Sequence, residues 1–384
     1  MGSRRSETQN PNPKTHNLRV LEPIRPNVLE MQPYLPGKPI SEVKRELGLD
    51  RVVKLASNEN PFGPSPKAVE AVERTAREMH LYPDGASRDL REAIAAEFDI
   101  PYEQAMVGNG SDELIHILGL LFLDGPGDEM IMGDPGFSRY DASAHLAASK
   151  LIKVPLDAEF RHDLPAMAAA VTPNTKLIYV ANPNNPTGTV MNTAEIESFL
   201  DAIPENVPVV LDEAYHDFAA PYTDIPNSRD LVLQGRNVIG LRTFSKAYGL
   251  AGIRIGFGFA SPRVMDAYHR AREPFSVNIL AQSAAIAALG DKEHLRKTVT
   301  SNREGLDRLR RVFESIGARV IDSYANFAYA DLGYNADPVF QGLLKRGVIV
   351  RAGSHVGHPH CLRVSVGTAE ELDIFERELR AVVG

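Results

Sequence analysis

Helical periodicity and short apolar runs alternate along the chain between about residue 64 and about residue 285. The pattern predicts helices at 66–79, 87–97 and 111–123, and strands at 129–132, 151–154, 177–181, 208–211 and 238–241. Short, continuously apolar strands separated by helices are typical of a mostly parallel sheet with helices on both faces. The sequence therefore predicts an α/β domain here, with any ligand bound at the carboxyl ends of the strands.

The pattern changes beyond about residue 285. A long helix with arginine and glutamate on its surface is predicted at about 291–316, followed by strands at 318–321, 327–330, 348–351 and 362–366 and a final helix after Thr368. These elements predict a smaller α+β domain made of 286–384, which we expect 26–60 to join. The large domain then spans 61–285. The polar, Pro- and Asn-rich residues 1–25 are expected to form a flexible tail.

Composition and charge argue against some classes of binding partner. The net charge of -8 gives no electrostatic basis for binding nucleic acid or an anionic membrane surface. The longest apolar run, within 114–123, is too short to span a bilayer. The single cysteine, Cys361, cannot form an intrachain disulfide and fits a reducing compartment. We therefore expect a cytoplasmic protein that binds neither nucleic acid nor a membrane.

One segment, residues 243–257, combines a lysine with hydroxyls, glycines and an arginine inside an otherwise apolar stretch. Burying Lys246 is costly unless its charge is neutralised or its amine is used covalently. The neighbouring Ser245 hydroxyl and the Arg254 guanidinium suit an anionic phosphate. An amine beside a phosphate site suggests a Schiff base to pyridoxal 5′-phosphate (PLP). Taken alone, a lysine on a glycine-rich loop is also explained as an ordinary surface residue.

Two further segments offer groups for such a cofactor. Gly110, Ser111 and Asp112 open an apolar helix, where free N–H groups attract phosphate. Phe137 follows the predicted strand 129–132 and is placed to stack on a pyridine ring. Each has a plain structural alternative, since Ser111 is also a good helix cap and a single phenylalanine is commonly core.

The remaining pieces follow two more strands. Asn185 lies in the rigid turn NPNNPTG and offers an amide donor for a phenolate oxygen, although a tight loop alone explains this turn equally well. Asp212 ends an apolar strand, where a pyridinium nitrogen would offset the cost of burying the carboxylate. Tyr215 follows three residues later and is within reach of the ring hydroxyl. A turn-capping Asp212 is the alternative, but packing does not explain all these groups on successive strand ends.

With these motifs in place, the chain resembles the fold-type I PLP-dependent aminotransferases, and within them the histidinol-phosphate aminotransferases, from about residue 22 to 380. The motifs that carry the resemblance are SNENPFGPSP (57–66), YPDG (82–85), GNGSDE (108–113), NPNNPTG (182–188), LDEAY (211–215), TFSKAYGLAGIRIG (243–256) and CLRVSVGT (361–368). The resemblance implies the PLP-dependent transferase fold type I, with a mostly parallel central sheet between helices and a smaller α+β domain.

The resemblance also implies a role for each residue of the cofactor site. Lys246 corresponds to the Schiff-base lysine, which also moves the proton during transamination. Asp212 corresponds to the partner of the pyridinium nitrogen. The other implied cofactor contacts are Phe137 on the ring, Asn185 and Tyr215 at the ring oxygen, and Gly110, Ser111, Asp112, Ser245 and Arg254 at the phosphate. We expect Lys246, Asp212 and Tyr215 to be the catalytic residues.

Substrate contacts are implied at a different set of positions. Arg363 corresponds to the arginine that holds the anionic end of the substrate, and Arg351 is a candidate second anion contact. Tyr34 and Asn60 correspond to residues on the substrate side. His355, His358 and His360 do not match a common zinc-binding spacing, so we expect a polar loop there and no metal site.

The resemblance implies a reaction between small amino and keto acids. It converts histidinol phosphate and 2-oxoglutarate to imidazole-acetol phosphate and L-glutamate, and histidine biosynthesis uses the reverse direction. An aromatic or broad-range amino-acid aminotransferase remains an alternative, as does a PLP-dependent threonine-phosphate decarboxylase. A PLP-binding regulatory module would need a DNA-binding domain, for which residues 1–25 are too short.

A homodimer with the active site at its interface is also implied. Many relatives carry a tyrosine in the NENP region that reaches the cofactor phosphate of the neighbouring subunit. This chain has Phe62 there, which has no hydroxyl to donate.

Overall fold

A computed structural model of the chain describes residues 24–31, 33 and 38–384. Almost all of the predicted tail, 1–25, and the predicted substrate contact Tyr34 lie outside the described residues. In the part of the chain that the structure describes, no helix combines the length and apolarity needed to cross a membrane.

A seven-stranded sheet forms the centre of the large part of the molecule. The strands of the described chain are β1 (Val53–Lys54), β2 (Ala105–Gly108), β3 (Glu129–Asp134), β4 (Lys150–Pro155), β5 (Thr175–Ala181), β6 (Val209–Asp212), β7 (Val238–Thr243), β8 (Gly256–Phe259), β9 (Arg319–Ile321), β10 (Phe327–Asp331), β11 (Val348–Ile349), β12 (Arg351–Ala352) and β13 (Cys361–Ser365). The order in the large sheet is β2-β8-β7-β6-β5-β3-β4. Only β8 runs against its neighbours, so the sheet is mostly parallel.

Helices pack against both sheets in the described part of the chain. They are α1 (Pro26–Leu29), α2 (Ile40–Leu47), α3 (Pro66–Thr75), α4 (Arg88–Phe98), α5 (Gly110–Phe122), α6 (Ser138–Leu146), α7 (Leu164–Ala169), α8 (Thr193–Ala202), α9 (His216–Ala219), α10 (Ser228–Leu233), α11 (Pro262–Ala271), α12 (Ile279–Leu289), α13 (Lys292–Glu314), α14 (Asp337–Lys345) and α15 (Ala369–Val383). Strands β6 and β7 are buried along their whole length, as expected for central parallel strands.

Most predicted elements are confirmed, and two differences have clear physical reasons. Strands β2 and β8 were not predicted, because they are four residues each and contain the glycines of AMVG and GFGF. The predicted strand 348–351 is wrong as a single element. Its first half, β11, pairs with β1, whereas β12 pairs with β13, because the chain passes from one sheet to another at Val350.

The second, smaller sheet has the order β12-β13-β10-β9 and is antiparallel throughout. Its core joins α13 to α15 through Phe313 and Phe375, whose ring centroids are 5.8 Å apart. Val53 and Leu55 belong to the same core, so the chain before α3 contributes to this part of the molecule. By contrast, α1 contacts α6 beside the large sheet.

Candidate active site

A cavity of about 340 Å³ lies where the carboxyl ends of β5, β6 and β7 face the smaller sheet. It brings together most of the residues predicted for the site. The predicted residues that line it are Ser111, Asp112, Phe137, Asn185, Asp212, Tyr215, Ser245, Lys246, Arg254, Arg351 and Arg363. Parallel strands that end at one edge account for this convergence, because the loops after them share the same side of the sheet.

Asp212 is the last residue of β6 and is only 5 % exposed. The Tyr140 hydroxyl donates to its Oδ2 at 2.6 Å, and the Ala214 N–H donates to its Oδ1 at 3.1 Å. Both donors are neutral. Burial raises the pKa of the Asp212 carboxyl from 3.8 to about 6. A buried carboxylate whose hydrogen bonds come from neutral groups is suited to a cationic ligand group such as a pyridinium N–H.

The opposite end of the cavity is shaped for an anion. Gly110 begins α5 with a φ of +75°, and a Cβ built on it would lie 2.5 Å from Arg254 Nη2. The Arg254 guanidinium donates to Ala251 O at 3.0 Å and to Asp112 Oδ2 at 3.2 Å. Free N–H groups at the start of a 13-residue helix therefore lie beside a guanidinium, a combination that favours phosphate. The φ of +75° favours glycine at 110, and a side chain there would also displace the end of the Arg254 side chain.

Lys246 follows β7, is half-buried and lines the same cavity. Its Nζ donates to Ser57 O at 3.4 Å and lies 5.8 Å from the centroid of the Tyr215 ring. The described residues thus offer a carboxylate, a phosphate cradle and an amine in one cavity. Phe137 lines the same cavity and meets the ring of Tyr140 edge-on, with centroids 5.7 Å apart. These features fit PLP, whose nitrogen, phosphate and aldehyde need those groups.

The smaller sheet contributes two cationic residues to the lining of the same cavity. Arg351 on β12 is directly opposite Arg363 on β13, so the two side chains share a face of the sheet. Arg363 Nη1 donates to Asn185 Oδ1 at 2.6 Å, and Nη2 donates to Ala56 O at 2.8 Å. Because Arg363 already occupies the side-chain oxygen of Asn185, the side-chain nitrogen is the group of Asn185 that can bond a ligand, and it does so as a donor. This part of the cavity is suited to an anionic substrate end.

Two predicted residues are placed differently. Gly110 contributes backbone at the phosphate end without lining the cavity. Asn60 also lies off the cavity lining, and its Nδ2 donates to Ala247 O at 3.0 Å while its Oδ1 accepts from Phe62 N at 2.9 Å. The Asn60 side chain thus secures the loop after Lys246 in this structure. A substrate contact by Asn60 stays a prediction.

Two residues of the site were not predicted from the sequence. Tyr140 holds Asp212, and its position three residues after Phe137 on a helix was the available signal. Asn58 donates from Nδ2 to the Tyr215 hydroxyl at 2.9 Å. Its motif SNENP was noticed, but the sequence does not indicate which asparagine of the motif faces the cavity.

Comparisons with known proteins agree with this geometry. The sequence model of the family Aminotransferase class I and II matches residues 50–379. A histidinol-phosphate aminotransferase of Moorella thermoacetica is 48 % identical over 360 residues, which are 94 % of this chain and 92 % of that protein. Another, of Akkermansia muciniphila, is 46 % identical over 90 % of this chain and 94 % of its own length.

A solved structure extends the agreement to the fold and the cofactor. The histidinol-phosphate aminotransferase of Sinorhizobium meliloti in complex with pyridoxal-5′-phosphate superposes with a TM-score of 0.87 at 28 % identity. The match covers 95 % of this chain and 98 % of that one. The predictions of a fold-type I architecture and of PLP as cofactor are thereby confirmed. The chain belongs to the class I and II aminotransferases and is a PLP-dependent transaminase.

Proposed function

We propose that the protein transfers an amino group between histidinol phosphate and 2-oxoglutarate, with imidazole-acetol phosphate and L-glutamate as the other pair. Histidine biosynthesis would use the reverse direction. The observation that carries the proposal is the pair Arg351 and Arg363 in the cavity that Lys246 also lines, where both substrates would present an anion. Relatives that are 42–48 % identical to this chain are named histidinol-phosphate aminotransferases, which supports the same substrate.

Each residue of the cavity has a separate proposed role, which follows from its position. Bound PLP supplies the electron sink that makes the substrate Cα–H acidic. Asp212 would keep the ring nitrogen protonated, and Asn185 and Tyr215 would donate to the ring oxygen. Lys246 would hold the cofactor and then carry the proton to and from the substrate carbon. The phosphate would be held by the N–H groups of Ser111 and Asp112, together with Ser245 and Arg254.

Arg363 is proposed to serve two anions, the glutamate carboxylate and the phosphate of histidinol phosphate. A guanidinium offers the same planar pair of donors to either group. We expect Arg363→Ala to slow both half-reactions by about 10- to 100-fold, the worth of a hydrogen bond to a charged group. Each half-reaction is measured in a single turnover from the absorbance of the bound cofactor.

The matched control is Arg319→Ala. Arg319 lies on β9 of the same sheet, pairs with Glu159 and does not line the active-site cavity, so both rates should stay at wild type. If Arg363→Ala left both half-reactions unchanged as well, the dual role of Arg363 would be wrong.

The choice of substrate needs its own experiment. We expect kcat/KM for histidinol phosphate to exceed that for phenylalanine by at least about 100-fold, because phenylalanine replaces the phosphate dianion with a singly charged carboxylate and the imidazole with a ring that has no hydrogen-bonding atoms. A preference for phenylalanine would favour an aromatic aminotransferase. Release of CO₂ from threonine phosphate, with no keto product, would favour a decarboxylase.

We also propose a homodimer with the active site at its interface. Tyr82 is 82 % exposed and stacks on the half-exposed Phe275 at 4.8 Å. The next residue, Ser276, donates to Glu113 in the first turn of α5, the helix at the phosphate end. Exposed aromatic rings beside a ligand site suit a partner surface. Light scattering across protein concentrations tests the dimer, and a fully active monomer would refute it.

A further inference from the structure

Asn58 is buried at the junction between the smaller sheet and Tyr215. It is 2 % exposed and its φ is 55°, a left-handed conformation that asparagine adopts more readily than most residues. Its carbonyl oxygen accepts from Asn326 Nδ2 at 2.9 Å. Its N–H donates to Ser365 Oγ at 2.9 Å. Two hydrogen bonds therefore hold the backbone of Asn58, independently of the contacts of its side chain.

The hydrogen bonds of the side chain have a determined direction. Ser365 Oγ accepts the N–H of Asn58 and donates its own proton to Asn58 Oδ1 at 2.9 Å. With its oxygen held there, the amide presents Nδ2 to the Tyr215 hydroxyl at 2.9 Å. An amide nitrogen only donates, so Tyr215 accepts this bond. The phenolic proton of Tyr215 must then point elsewhere, and Tyr215 lines the cavity beside Lys246.

We propose that Asn58 is a positioning residue that keeps the Tyr215 hydroxyl a donor to the cofactor ring oxygen, with Ser365 locking the Asn58 amide in place. The inference rests on the proposed role of Tyr215. It goes further in stating which way every proton in the chain Ser365–Asn58–Tyr215 points. A donor to the ring oxygen stabilises its ionised form, so Asn58 lowers the pKa at which the visible absorbance of the bound cofactor changes.

The same segment also connects this chain of hydrogen bonds to the anion site. Ala56, two residues before Asn58, accepts from Arg363 Nη2 at 2.8 Å. Ser365 lies two residues after Arg363 on β13. A purely structural role, in which Asn58 only fastens 56–58 to β13, must therefore be separated from the positioning role. The two roles differ in what they require of Nδ2.

Asn58→Asp makes this separation, because the carboxylate still accepts from Ser365 but offers Tyr215 an acceptor in place of a donor. The Tyr215 proton would then turn to the introduced carboxylate and away from the cofactor. We expect the pKa read from the visible absorbance of the PLP-loaded protein to rise by about one pH unit. Ser365→Ala, which frees the amide to rotate, should raise that pKa by a smaller amount, and it tests the idea even if Asn58→Asp does not fold.

The matched control is Asn302→Asp, since Asn302 is also buried and donates through Nδ2, but to Ala325 O. It should lower the melting temperature of the cofactor-free protein without moving the absorbance pKa. A structural role for Asn58 predicts a loss of stability for Asn58→Asp together with an unmoved pKa in the uncharged variant Ser365→Ala, and that pattern would overturn the proposal.

Tyr215→Phe distinguishes the failure of this inference from the failure of the function on which it rests. We expect Tyr215→Phe to raise the absorbance pKa, and Asn58→Asp to raise it less in that background than in the wild type, because only the effect of the introduced charge is then left. If Tyr215→Phe leaves the pKa unchanged, the contact of Tyr215 with the ring oxygen is wrong and the inference falls with it. If Tyr215→Phe raises the pKa but Asn58→Asp and Ser365→Ala do not, only the role of Asn58 is wrong.

Discussion

Replacing Asp212 with asparagine should stabilise the cofactor-free protein at pH 8, although it removes a residue of the proposed catalytic site. Burial raises the pKa of the Asp212 carboxyl from 3.8 to about 6. The folded state therefore binds this proton more tightly than the unfolded state does. The resulting stability is complete below pH 3.8 and is lost as the pH rises through about 6. At pH 8 the buried charge costs about 3 kcal/mol relative to a neutral group.

The asparagine variant recovers most of that cost. Its amide has one oxygen for the two donors, Tyr140 Oη–H and Ala214 N–H, that now face the carboxylate. The donor left over lowers the gain by about 1 kcal/mol. We therefore expect a net gain of about 2 kcal/mol at pH 8, which should vanish near pH 4.5 because the wild-type carboxyl is then largely protonated.

Denaturant unfolding of the PLP-free proteins at one protein concentration measures both values. Asp266→Asn is the control, since Asp266 is exposed and paired with Arg270 on α11, and it should change the unfolding free energy by less than about 0.5 kcal/mol at either pH. With saturating PLP the order should reverse, because the cofactor stabilises the wild type more. The reasoning is refuted if Asp212→Asn is no more stable than wild type at pH 8, or if its gain persists at pH 4.5.

Three further predictions concern neighbouring groups. Gly110→Ala should weaken PLP binding by at least about 10-fold while circular dichroism stays unchanged, because the added methyl group would lie 2.5 Å from Arg254 Nη2. Glu213→Gln should cost about 3–5 kcal/mol in unfolding free energy, since it leaves the buried Arg242 without its anion; a loss under about 1 kcal/mol would contradict this. Lys246→Ala should abolish both the visible absorption band with PLP and its change on adding glutamate, and a retained band would exclude Lys246 as the point of attachment.

Residues that directly end a buried strand were the most predictable part of the site. Asp212 ends β6 and Lys246 follows β7, and the sheet alone brings such positions to one edge. The same argument placed Asn185 after β5. For these residues the positions of the strands along the sequence are sufficient, because a parallel sheet places the carboxyl ends of its strands at one edge.

Residues defined by contacts between distant segments could not be predicted in this way. Asn58 acquires its place from Ser365, 307 positions along the chain, and nothing local distinguishes it from Asn60. Strand β8 was not predicted for a related reason, because neighbouring backbone leaves no room for side chains at its glycines. A Cβ on Gly256 would lie 2.5 Å from Ser111 N, and one on Gly258 would lie 2.2 Å from Gly240 O. Such close approaches follow only from the assembled fold.

The adjacent carboxylates Asp212 and Glu213 differ in whether the protein itself supplies a cationic partner. Both are buried, but burial raises the pKa of Asp212, whereas the pKa of Glu213 is lowered despite burial because Arg242 lies beside it and Ser228 donates to it. Glu213 is thus satisfied within the protein and contributes to the fold. Asp212 receives its hydrogen bonds from neutral groups, so its charge becomes favourable when a cation enters the cavity. We expect the stability given up at Asp212 in the cofactor-free protein to be recovered as affinity for a protonated ring nitrogen.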